Sequence, residues 1–231
     1  GLEVSREGGA ERGRVLGSAR CRAGDRPLGL LWARIMSREL VVVTSGGLEV
    51  IAVPAGGGEP AGVEARRVSG GPAEWHVHSH DTGLVLFGAP AWGARVRGFQ
   101  IAGGGQGILK LPSFEVASGA GRSPPGPSTL TPLSIYGRLY CAYSAGDGTV
   151  LVYRYYKDAV VLQHELATYS PRVSLSCCDN LIVAHSLATG VAMVFDIVMG
   201  TAHPIASPLP LGPARSGGAP AGAGGDGGGS G

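Results

Sequence analysis

Four times along the chain a short β-type run, a turn of small residues and a second β-type run follow one another. The units are Glu39–Val53 (ELVVVTSGGLEVIAV), Gly83–Ile101 (GLVLFGAPAWGARVRGFQI), Gly137–Tyr155 (GRLYCAYSAGDGTVLVYRY) and Asp179–Ile197 (DNLIVAHSLATGVAMVFDI). The matching leucines Leu40, Leu84, Leu139 and Leu181 lie 44, 55 and 42 residues apart. The long interval holds the Pro/Gly/Ser segment 118–129 (SGAGRSPPGPST), and removing an insertion there restores a period in the low forties. Paired strands at that period are the signature of four-stranded propeller blades. Further β-runs at 28–35, 62–68, 73–78, 107–111, 132–136, 159–167 and 172–177 bring each unit to four strands.

The repeat therefore predicts an all-β chain, a WD-repeat-like β-propeller forming a partial ring of about four blades over 27–207. A β-sandwich shares the short strands and turn signals; the recurrence of one hairpin unit favours the propeller. Segment VVLQHELAT (160–168) fits a strand about as well as a short helix. Residues 1–26 have no lasting apolar period and read as a disordered N-terminal segment, 118–129 reads as a disordered inter-blade loop, and 208–231 as a Gly/Pro/Ala-rich disordered tail. The chain begins at Gly1 rather than Met, which points to a fragment of a ring that continues upstream.

Composition excludes several classes. A net charge of +2 with 17 Arg and two Lys (Lys110, Lys157), mixed among acids, gives no electrostatic footprint for nucleic acid. The Arg-over-Lys bias, with 41 Gly, looks like a GC-rich coding sequence. Cys21, Cys141, Cys177 and Cys178 form no C-x-x-C pair, and no signal-peptide core precedes them, so free thiols in a reducing cytosol are expected. The longest apolar run, Leu181–Val198, is broken by His185, Ser186, Thr189, Gly190 and Asp196 and is no membrane span.

The strongest candidate for chemistry is EWHVHSHD, Glu74 to Asp81, with His76, His78 and His80 at every second position. On a strand that spacing puts all three on one face, with Trp75 and Val77 packing inward. Two such histidines can ligate zinc, provided further ligands come from elsewhere. A polar face of a blade strand accounts for the same pattern, and no cofactor is expected. Gly103–Gly107 lacks the Lys-Ser/Thr of a P-loop and misses the G-x-G-x-x-G spacing. No G-x-S-x-G elbow occurs, and His185 and Ser186, being adjacent, face opposite ways on a strand. Asp147, Asp158, Asp179 and Asp196 stand singly at turns or strand ends, and Arg95 with Arg97 makes a small basic pair on one strand face.

An ordered set of segments carries a family resemblance. It comprises Leu28-Gly29-Leu30-Leu31-Trp32, Leu109 to Glu115 (LKLPSFE), Ile135 to Tyr140 (IYGRLY), Asp179 to His185 (DNLIVAH), Met193 to Ile197 (MVFDI), and Leu209-Pro210 through Pro213-Ala214-Arg215-Ser216. In this order the chain resembles the N-terminal half of the regulator of the Mon–Ccz exchange complex, the colon-cancer-associated Mic-like family, over residues 28–216. The resemblance implies a β-propeller followed by a helical region, and a non-enzymatic accessory subunit of the Mon–Ccz guanine-nucleotide exchange factor. It implies Mon and Ccz homologues as partners and, indirectly, a late-endosomal Rab GTPase. Peripheral association with late endosomes, lysosomes or vacuoles and autophagosomes, through the complex, is implied too. The earlier blades are unrecognisable before Leu28, and the helical region is absent after Ser216. The histidine trio matches no family motif. Two other readings stay open: a generic propeller interaction module of another trafficking or ubiquitin-ligase assembly, and a zinc enzyme using His76 and His78.

Overall fold

Continuous apolar runs such as Leu40–Val43 or Leu84–Phe87 are stable only where both faces of a strand are buried. The computed structural model, which describes residues 2–5, 15–19, 24–32, 39–52, 65–101 and 107–212, supplies that burial by stacking sheets face to face. Strands β1 (Leu2–Ser5) and β2 (Val15–Ala19) pair as an antiparallel hairpin. The hairpin falls within 1–26, where two short β-runs among Arg and Gly satisfy one another's backbone groups, and residues 6–14 and 20–23 lie outside the described residues.

The first blade is β3 (Pro27–Trp32), β4 (Glu39–Thr44), β5 (Gly47–Ala52) and β6 (Ala65–Gly70). The second is β7 (Trp75–Ser79), β8 (Leu84–Gly88), β9 (Arg95–Ile101) and an outer edge split into β10 (Ile108–Lys110) and β11 (Phe114–Glu115). Pro112 cannot donate to the ladder, so the outer strand breaks there and β11 re-pairs with the start of β9, Phe114 opposite Val96. The third blade is β12 (Leu130–Ile135), β13 (Arg138–Ser144), β14 (Thr149–Tyr155) and β15 (Val160–Ala167). The ambiguous segment near 160 is thus a strand. The fourth is β16 (Ser174–Cys178), β17 (Leu181–Ser186), β18 (Val191–Asp196) and the two-residue β19 (Leu209–Pro210). In every blade the repeated sequence unit is the central hairpin. A single 3-10 turn, Pro90–Trp92, is the only helical element among the described residues.

Three cores stitch the blades in order. Val41, Val43, Leu48 and Val50 meet Val85, Phe87 and Phe99 between blades one and two, where the Phe87 and Phe99 rings stack at 5.3 Å. Leu84, Leu86, Val96 and Phe114 meet Cys141, Tyr143, Leu151 and Tyr153 between blades two and three. Tyr140, Ala142, Val150 and Val152 meet Ile182, Ala184, Met193 and Phe195 between blades three and four. The first strands β3, β7, β12 and β16 lie against one another in that order, which makes them the inner strands of the arc. Among the described residues no buried apolar cluster joins the fourth blade to the first. On the fourth blade Leu181, Val183 and His185 are correspondingly only half-buried.

Two further expectations change. Segment 118–129 is a tethered loop: Ser123 N donates to Ala145 O at 2.8 Å, and the Tyr143 hydroxyl donates to Ser123 O. Gly126 N donates to Thr129 Oγ1 at 2.9 Å. The Pro/Gly composition that suggests disorder here builds consecutive turns anchored on the third blade. The propeller also extends past 207, because Leu209 and Pro210 pair with Ala192 and Val191. The rest of the Gly-rich tail, from 213, lies outside the described residues, as do Cys21 and the glycines at 103–105.

Candidate functional site

The histidine strand is β7, the innermost strand of blade two, paired with β8 so that His76 lies opposite Phe87 and His78 opposite Val85. Trp75 and Val77 pack toward blade three, as their alternation with the histidines requires. His76 and His78 face blade one, half-buried. There the missing side chain of Gly29 matters: a Cβ on it would stand 2.4 Å from His76 Cε1 and Nε2, so the imidazole lies directly over that glycine. Burial holds His76 below the ordinary histidine range. Burial first, then the neighbouring His80 and His76, does the same for His78.

The three rings follow one another, His76 against His78 and His78 against His80. β7 ends at Ser79 and the chain turns, with Thr82 Oγ1 accepting from Leu84 N at 3.0 Å and donating back to Ser79 O. The turn swings His80 back, so that its Nε2 stands 3.3 Å from His78 Nε2 while the two rings meet edge to face. His76 and His78, the pair expected from the spacing, only stack, with ring centroids 6.4 Å apart. Asp81 is exposed in the same turn. Among the described residues no group of three or more His, Cys, Asp or Glu is arranged to hold a metal ion.

The other sequence candidates are separately engaged. Arg95 donates to Glu115 at 2.9 Å, whereas the Arg97 guanidinium lies 3.9 Å from the centre of the Trp92 ring, so the two do not converge on one anion. Asp147 accepts from Arg122 at 2.8 Å and from Thr149, and these hydrogen bonds hold its carboxyl below the usual range against the opposing effect of burial. Asp179 occupies a left-handed turn at φ 52° and Asp196 caps its own turn through Val198 N at 2.8 Å. His185 and Ser186 do face apart. Ser186 Oγ is buried against Ser170 Oγ at 2.8 Å, whereas His185 Nε2 meets Ser176 Oγ at 2.9 Å across the β16–β17 ladder. That Ser–His pair was not legible beforehand, because it joins residues on neighbouring strands. Among the described residues no carboxylate bonds to His185 to complete a triad.

Sequence reasoning also missed a recess. An open cleft of about 950 Å³ lies between blades three and four. Ser123, Pro124, Ser128 and Thr129 of the tethered loop, Ser144 at the end of β13 with Gly146 of the turn after it, and Pro171, Arg172 and Val173 before β16 line it. Its walls come from three separate segments, which only the stacking of adjacent blades brings together. Hydroxyls, one exposed guanidinium and the apolar Pro124, Pro171 and Val173 together make a mixed surface.

The sequence matches no protein-family model and no curated protein. Solved structures do match. One is a Bacteroides fragilis protein described as a 6-phosphogluconolactonase, at 13% identity and a TM-score of 0.50, covering 91% of this chain and 59% of that one. Another is the dihydro-heme d1 dehydrogenase NirN, at 14% identity and a TM-score of 0.51, covering 88% of this chain and 42% of that one. The chain therefore spans less than two thirds of either. Both likenesses define the class, a β-propeller fold, and at such identity they carry nothing about activity.

Proposed function

We propose that the chain is a non-catalytic propeller scaffold, an accessory subunit of the Mon–Ccz guanine-nucleotide exchange complex that acts on a late-endosomal Rab GTPase. One observation supports the reading above others: the segments that resemble the family fall on strands and turns of the blades. Ile135–Tyr140 makes the β12–β13 turn, and Asp179–His185 with Met193–Ile197 makes the central hairpin of blade four. A propeller is also what the resemblance implies. The mechanism is binding: stacked sheets hold loops rigidly, and the cleft between blades three and four, with hydroxyls, Arg172 and apolar Pro124, Pro171 and Val173, offers a surface for a partner's chain segment. Membrane association then comes through the complex; no helix of the described residues is long and apolar enough to cross a bilayer.

Affinity capture of the tagged full-length protein from its own cells tests the proposal. Mon and Ccz homologues are expected as co-purifying subunits. Their absence, with other trafficking or ubiquitin-ligase subunits in their place, overturns it in favour of a generic propeller module.

A further inference from the structure

The turn that closes EWHVHSHD makes a two-imidazole bite, and we propose that His78 and His80 bind a zinc ion there. A zinc–nitrogen bond of about 2.0–2.1 Å in tetrahedral geometry places two ligand nitrogens about 3.3–3.4 Å apart. His78 Nε2 and His80 Nε2 stand at 3.3 Å. The backbone that presents both rings is held, because β8 pairs the length of β7 and the Thr82 bonds to Ser79 and Leu84 set the turn. Where one ring carries its proton on Nε2, that Nε2–H donates to the other ring's Nε2. Moving that proton to Nδ1 of the same ring frees both Nε2 lone pairs for the ion, with no net proton released.

The bite is open. His80 is exposed and His76 lies over Gly29, outside the pair. Two coordination positions are left for water or for a donor atom of a docked protein. A hydrated, exchangeable zinc therefore fits better than a closed structural site, whose four positions are all protein ligands. The site lies at the end of an inner strand, on the exposed rim of blade two.

Isothermal titration of the full chain with zinc chloride, after chelator treatment and dialysis, tests this. One zinc per chain is expected. His80→Ala, a change in an exposed turn, weakens binding at least tenfold, as does His78→Ala, while His76→Ala leaves the zinc isotherm unchanged. Melting curves of each variant without metal establish that the fold is kept. No binding by the parent chain, or binding that His80→Ala leaves intact, overturns the assignment and leaves the 3.3 Å contact as an imidazole–imidazole hydrogen bond only. Loss of zinc binding would leave the Mon–Ccz reading untouched, since that rests on different residues.

Discussion

At Gly83 the backbone adopts φ 63°, and a Cβ would stand 2.6 Å from the Ile101 carbonyl oxygen. The neighbouring atom is backbone and cannot swing aside, so Gly83→Ala should destabilise by about 1–3 kcal/mol in urea unfolding. His164 shows how acid acts on the fold. Burial lowers its pKa below the ordinary 6.5, so the unfolded chain takes up the proton first. Stability from this residue is therefore full above about pH 6.5 and is lost as pH falls from there toward the folded value. In chelator-containing buffer, His164→Gln should lose less stability than the parent between pH 7 and 5, and an equal loss in both would refute the assignment. The histidine trio marks the limit of residue-level reading. Alternation correctly sent Trp75 and Val77 inward, but the approach of His80 to His78 depends on where β7 stops, which periodicity does not say.

Among the elements, the central hairpins were the most legible because their strands are covered on both sides. Val41 and Val43 face one way and Leu40 and Val42 the other, all buried, which writes an unbroken apolar run into the sequence. Outer strands leave a weaker trace. β11 and β19 have two residues each, and the side chains of Leu209 and Pro210 are exposed, so no hydrophobic period marks them. The loop at 118–129 misled for a related reason: its order comes from bonds to distant residues, chiefly Arg122 to Asp147 and Tyr143 to Ser123. Asp147→Ala should cost about 1 kcal/mol, the scale of a partly exposed tether, and should raise amide exchange in that loop. By contrast, Phe195, fully buried between blades three and four, should cost about 3–5 kcal/mol on replacement by Ala in the same unfolding assay.

For the whole molecule, the low-forties period was enough to anticipate four blades, since each repeat must stack on a neighbour to bury its second face. The cleft between blades three and four was not legible, because its walls are brought together by that stacking from segments up to 50 residues apart, Ser123 and Val173 at the extremes. The proposed partners rest on the ordered resemblance, and the most direct test of the proposal is assembly from pure components. Mass photometry of the full-length protein mixed with the purified Mon–Ccz pair from its own species should show one species of summed mass, with the free components depleted. Components that keep their separate masses at micromolar concentration would contradict the account.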